Sequence, residues 1–192
     1  MATIHQTTME PTKLELLTAW LPKQSWYQGS SGAAELHKAG GFRLDDPAGE
    51  VGIEFMVVVD TADPTPVAYL VPMGYRGAPI TEGATEGAAE GLIGTSEHGV
   101  LGTRWIYDGP HDPVVSAQLL ALLRGEATPQ HQSIDDTPDP TVTVHPGPTT
   151  PGSYHLARVL RPVTEADEQP GLHGGFTWPD GTPARAVFVS AD

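Results

Sequence analysis

One stretch limits the possible folds more than any other. It runs Val100-Leu101-Gly102-Thr103-Arg104-Trp105-Ile106-Tyr107, then Asp108-Gly109-Pro110, then His111-Asp112-Pro113. Leu101, Thr103, Trp105 and Tyr107 alternate with Val100, Gly102, Arg104 and Ile106. A period of two in aromatic and β-branched residues predicts a strand. Gly109 and Pro110 break it, because neither continues a central strand well. Asp112-Pro113 then opens a helix. The Asp side chain can accept from free backbone N–H groups, and Pro at the first helical position has no N–H to leave unpaired. Val115, Leu119, Leu122 and Leu123 follow at helical spacing. Arg124 suits the negative helix end, and Gly125 accepts a left-handed stop. The stretch therefore predicts a strand from 100 to 107 and an amphipathic helix from 112 to 124, lying on a sheet.

The flanking sequence extends this pattern. Thr12-Lys13-Leu14-Glu15 is a capping box, and Leu14, Leu17 and Leu21 share a helical face with Trp20 beside it. Pro22 ends that helix near Leu21. Residues 1–10 read as a loose leader. Three strands are expected next: Ala34 to Arg43, interrupted by Gly40-Gly41; Ile53 to Val59; and Val67 to Met73. In the second, Ile53, Phe55, Val57 and Val59 oppose Met56 and Val58. Near-continuous apolarity in the second and third predicts a central, covered place. Asp60 to Pro66 is a turn. Residues 126–152 carry six prolines and Asp135-Asp136, and read as a mostly irregular acidic loop with a short strand at Thr141 to Val144. Residues 153–192 hold further strands: Tyr154 to Val163, then Leu172 to Trp178 and Pro183 to Val189. The last two are joined at Pro179-Asp180-Gly181-Thr182, a hairpin turn by its chemistry. The expected class is α+β, one domain over 1–192, with a mainly antiparallel sheet covered on one face by two helices.

Composition narrows the functions. Lys plus Arg number 10 and Asp plus Glu 24 in 192 residues, a net charge of −14. That field repels phosphate backbones and anionic lipid, so neither nucleic acid nor a membrane surface is expected as partner. There is no Cys, hence no disulfide framework and no thiolate metal site, in keeping with a cytoplasmic location. No apolar run is long enough to span a bilayer, and the N-terminus has neither the basic nor the apolar region of a signal peptide.

Few residues offer chemistry. Glycine-rich phosphate loops, a nucleophile elbow and a His-x-x-x-His pair are all missing. The glutamates of Thr81-Glu82-Gly83-Ala84-Thr85-Glu86-Gly87-Ala88-Ala89-Glu90-Gly91 are four apart. A Gly in every unit and no interleaved ligand type make this a solvated loop rather than a cation-binding face, so no metal or cofactor is expected. His111-Asp112 has two readings. His111 is a general base oriented by a carboxylate, or Asp112 is a helix cap and His111 an exposed turn residue. Trp26, Tyr27, Trp105 and Tyr107 either stack on a sugar or fill a core.

Three features together resemble the N-terminal cap domain of bacterial maltokinases and related actinobacterial aminosugar kinases. They are Trp20-Leu21 followed by Trp26-Tyr27-Gln28-Gly29; Tyr69-Leu70-Val71-Pro72-Met73; and Ile93-Gly94 with Ile106-Tyr107-Asp108, His111-Asp112-Pro113 and Leu119-Leu120. The resemblance covers roughly residues 14–125. It implies a cystatin-like curved antiparallel sheet and a place in α-glucan, trehalose or maltose metabolism. In the kinases an ATP-binding lobe and a phosphotransferase lobe follow; their motifs do not occur in these residues. Gln24, Gln28, Ser30 and Ser31 replace the family's Arg, Gly, Lys and Gly, which removes a basic loop. The resemblance thus implies a non-catalytic accessory or regulatory protein with a glycan-metabolism enzyme as partner. The alternative is a sugar binder or enzyme with a pocket between helix and sheet, walled by Trp26, Trp105 and Tyr107, with His111 as base.

Overall fold

A computed structural model describes residues 8–30, 32–81, 87, 89–132, 137–147, 154–164 and 169–191. The glutamates at 82 and 86 and the Asp135-Asp136 pair lie outside the described residues, as do residues 1–7. In chain order the elements are β1 (Met9–Glu10), α1 (Lys13–Trp20), β2 (Leu36–Leu44), β3 (Gly52–Asp60), β4 (Val67–Arg76), β5 (Leu92–His98) and β6 (Gly102–Asp108). Then come α2 (Pro113–Leu123), β7 (Gln130–His131), β8 (Thr143–His145), β9 (Tyr154–Leu156), β10 (Val159–Leu160), β11 (Gly171–Thr177) and β12 (Pro183–Ala191). Short 3-10 turns, Leu21–Lys23 and Gly109–His111, follow α1 and precede α2.

The strands form one sheet in the order β1-β5-β6-β4-β3-β2-β11-β12-β9, with β10 on β4, β7 on β2 and β8 on β11. The pairings between these strands are antiparallel. The α+β class holds, and the strands expected in the middle, β3 and β4, are central and buried.

The placement of the helices differs from expectation. Ile53, Phe55, Val57 and Val59 of β3 pack with Val115, Leu119, Leu122 and Leu123 of α2. Met56 and Val58 pack with Leu17, Trp20 and Leu21, from α1 and the turn after it. Because β3 alternates, these are opposite faces. The helices therefore sandwich the sheet instead of sharing one side. Both faces of β3 and β4 being covered is the physical reason for their unbroken apolarity.

Several local signals are realised as read. Thr12 and Glu15 form the reciprocal capping box of α1. Asp112 caps α2, with Pro113 next, and Gly125 ends the turn at φ 72. Others differ. β6 starts at Gly102, because Val100 and Leu101 form the exposed tip of a hairpin with β5, a strand the sequence reading missed. β5 is hard to see because Gly94, Thr95, Ser96 and Glu97 dilute its apolar residues. The leader ends in a strand, β1, paired to β5. Residues 154–163 split into β9 and β10, which pair with β12 and β4. The proline-rich segment is less irregular than expected, since β7 pairs with β2 and β8 with β11.

The expected interruption of β2 at Gly40-Gly41 is a register shift between Lys38 and Gly40, past which the strand continues. At Gly41, φ is 120 and a Cβ would stand 2.0 Å from the Phe55 carbonyl oxygen. Only glycine fits there, and it lets β2 continue past a bulge to Leu44.

Candidate functional site

The six residues singled out from sequence fall into two constellations on opposite faces of the sheet. Trp26 and Tyr27 lie on the α1 face. Both pack around Tyr69 of β4, with ring centroids 6.0 and 5.7 Å away, and Trp26 also meets Trp20 edge-on at 5.8 Å. The Tyr27 hydroxyl donates to Asp60 Oδ2 at 2.7 Å. Asp60, at the end of β3, also accepts from the Glu35 and Ala62 amides at 2.9 and 3.0 Å. The Gln28 amide donates to the Tyr69 hydroxyl at 3.0 Å. Burial first, and Asp60 second, push the Tyr27 hydroxyl well above the usual tyrosine range. The Arg158 guanidinium stacks 4.9 Å over the Trp26 ring and forks onto both oxygens of buried Asp108. That fork fixes the segment after β9 against the end of β6.

Trp105 and Tyr107 lie on the other face. Ile106 between them packs on the α1 side, so a period of two turns its neighbours toward α2. Tyr107 is buried, and its hydroxyl accepts from the Ile80 amide at 3.1 Å. The expected pocket walled jointly by Trp26, Trp105 and Tyr107 is therefore not assembled. The sheet itself separates those side chains.

Asp112 is completely buried. Arg76, the last residue of β4, donates to both of its oxygens at 2.7 Å, and the Val114 and Val115 amides donate at 2.9 and 3.4 Å. The hydrogen bond to Asp112 is the main reason the Arg76 guanidinium is held still more firmly in its charged form. Gly74 makes this approach possible, since a Cβ there would stand 2.4 Å from Asp112 Oδ2. His111 turns elsewhere, and its Nδ1 lies 3.0 Å from the Gly87 carbonyl oxygen. The structure does not pair His111 with Asp112, because neighbouring side chains diverge and Arg76 takes the carboxylate.

A third polar centre escaped the sequence reading. Glu54, buried in β3, accepts from Lys13 of α1 and the Tyr75 hydroxyl, each at 2.6 Å, and from Gln132 beyond β7. Burial alone would push its carboxyl up. The charge and hydrogen bond of Lys13 and the hydrogen bond of the Tyr75 hydroxyl outweigh that and hold it below the usual glutamate value. Arg76, Asp60, Asp108, Arg158 and Glu54 are isolated charges in sequence. For all but Arg158, which lies between β9 and β10, the one signal was parity, a charged residue inside or ending an apolar strand. Among the described residues, no group of three or more His, Asp or Glu side chains is placed to hold a metal ion.

Chemically, each carboxylate in these centres accepts two to four hydrogen bonds from donors of its own chain. The arrangement ties elements together and fixes aromatic side chains. It defines an α+β sheet protein whose candidate site is built from structural ion pairs. Residues 20–112 match the family model described as the maltokinase N-terminal cap domain. That stretch, just under half of the chain, is similar to the cap family in the region where the sequence motifs placed the resemblance. It takes in the Trp26, Tyr27, Asp60, Tyr69, Arg76, Asp108 and Asp112 positions and ends at the α2 cap. No solved structure matches the chain. Among the described residues, no helix is long and apolar enough to cross a membrane.

Proposed function

We propose that this protein is a non-catalytic, cap-like accessory or regulatory component of bacterial maltose and α-glucan metabolism. The observation that carries the proposal is the cap-family match over residues 20–112. The commitment of Asp60, Asp108, Asp112 and Glu54 to internal partners supports it, because a general base must have an accessible lone pair for the proton it abstracts. On this reading the antiparallel sheet is the cystatin-like element of the cap, and the partner is a cytoplasmic carbohydrate-acting enzyme. The exposed Val100 and Leu101 at the β5–β6 tip are apolar surface available for such contact.

The reading is tested by recombination. Tagged protein should recover a maltose- or glucan-acting enzyme from an extract of its own cells. Mixing the two purified components should shift that enzyme's KM or kcat. By itself the chain should consume no ATP in the presence of maltose. Steady turnover of ATP by the chain alone, or a recombined enzyme whose kinetics do not move, overturns the proposal.

A further inference from the structure

Apolar exposure is concentrated on one hairpin. Among the described residues, the large apolar side chains left exposed are Leu92, Val100 and Leu101, at 38%, 63% and 45%. All three belong to the β5–β6 hairpin, and Val100 and Leu101 form its tip. An isolated exposed leucine needs no explanation. Two large apolar neighbours at a turn, where Gly, Asn, Asp and Ser are the rule, do.

The tip has a fixed shape. His98 Nδ1 accepts from the Val100 and Leu101 amides at 3.3 and 3.1 Å. The Gly99 amide donates to the Thr8 carbonyl at 3.2 Å, and Gly102, at φ 69, turns the chain back. Arg104 Nη2 donates to the Leu101 carbonyl at 3.1 Å, which brings the guanidinium to the tip. A surface already ordered by the fold docks with little further loss of entropy.

Arg104 is the second observation. The chain has 24 Asp and Glu against ten Lys and Arg, yet among the described residues this guanidinium meets a neutral carbonyl and no carboxylate. Its Nε is buried without a partner, and its Nη1 lies against Gly77, where a Cβ would stand 2.9 Å away. Ser96, opposite Arg104, bonds the Pro11 carbonyl. Glu97 of β5 faces the other side of the hairpin and accepts from Thr103 at 2.6 Å. The fold thus holds a cation at the tip with donors to spare and gives it no anion.

We propose that the β5–β6 tip docks an acidic, apolar protein segment: a carboxylate pairs with Arg104 while neighbouring apolar side chains cover Val100 and Leu101. The proposal names the contact surface of the accessory-protein reading and takes the existence of a partner from it. A guanidinium fork matches a carboxylate, and covering the tip excludes water from the pair and strengthens it. The small apolar area fits a transient contact rather than an obligate one. A second copy of this chain is disfavoured by repulsion between two bodies of −14, and an anionic membrane by the same field.

The full chain is titrated with two synthetic amphipathic peptides, one with leucines flanked by glutamates and a twin with lysines in place of the glutamates. Calorimetry and backbone NMR shifts follow the binding. The acidic peptide should bind saturably, more tightly at low salt, with shifts centred on residues 98–104. Val100→Ser together with Leu101→Ser should weaken it at least about tenfold, as for an interface anchor. Arg104→Glu should invert the preference so that the lysine twin binds better, which a merely structural arginine would not do. Because the preference is read within each folded variant, a modest loss of stability does not blur it. Three results overturn the proposal: no saturable binding of the acidic peptide, a preference unchanged by Arg104→Glu, or a tip that instead mediates dimerisation or binding to phosphatidylglycerol vesicles. The two readings fail separately. If wild type and the tip variants recover the same carbohydrate-acting enzyme equally well, the partner uses another surface and this proposal alone falls. If the acidic peptide binds the tip but no such enzyme is recovered, the accessory reading alone falls.

Discussion

Asp112 accepts four hydrogen bonds, two from the Arg76 guanidinium and two from α2 amides. Loss of a helix cap alone costs about 1 kcal/mol. Asp112→Ala also strands a largely buried guanidinium, and breaking a buried pair in that way costs about 3–5 kcal/mol. Urea denaturation of the variant should fall in that higher range, and Arg76→Ala combined with Asp112→Ala should cost less than the sum of the two. Additive losses would show that the pair is not coupled. Glu54 gives a prediction in pH. Its folded carboxyl lies below the ordinary value of 4.5, so its contribution is complete above 4.5 and is lost as pH falls through the lowered folded value. Wild-type stability should therefore drop on acidification below about pH 5. Glu54→Gln should be less stable at neutral pH and show a shallower acid limb. A variant whose stability–pH curve parallels wild type would remove Glu54 from that role.

At the scale of elements, β2 is where a single atom decides the sheet. A methyl group at Gly41 would collide with the Phe55 carbonyl, and the φ of 120 is hostile to any side chain. Gly41→Ala should cost at least about 3 kcal/mol, through backbone strain and broken β2–β3 pairing. A melting temperature close to wild type would show that β2 can slide. The proline-rich segment makes a second case. Its composition reads as removable, yet Gln130 is buried, accepts from Arg43 at 3.1 Å and donates to Asp45 at 2.9 Å. With β7 on β2 and Gln132 on Glu54, deletion of residues 128–140 should lower the unfolding midpoint. A cooperative transition at the wild-type midpoint would mean that these contacts are dispensable.

For the whole molecule the governing quantity is charge. Ten Lys and Arg residues stand against 24 Asp and Glu, and Lys13, Arg43, Arg76, Arg158 and Arg185 are already engaged within the fold. A tetra-anionic nucleotide meets a repulsive field here. Calorimetry at physiological salt with excess Mg²⁺ should show no stoichiometric binding of ATP. A saturable heat with micromolar affinity would contradict this. The charge pattern bears on solubility and on the choice of ligand, and leaves the topology open.

Local physics was legible in the residues themselves. The Thr12–Glu15 capping box, the Asp112-Pro113 helix start, the alternation of Ile53 to Val59 and the Pro179-to-Thr182 turn depend on neighbours a few positions away. So does the order of motifs that makes residues 20–112 similar to the maltokinase cap domain. What the tertiary structure decided is which partners meet across long separations. Period two shows that Met56 and Val57 face apart, but it does not say which helix covers which face; α1 took one and α2 the other. The same alternation in β6 divided Trp105 and Tyr107 from Trp26. Arg76 with Asp112, Arg158 with Asp108 and Lys13 with Glu54 are 36, 50 and 41 positions apart. Ion pairs of that reach carry no periodic signature, because each depends on strand order and register, which are set only when the whole sheet closes.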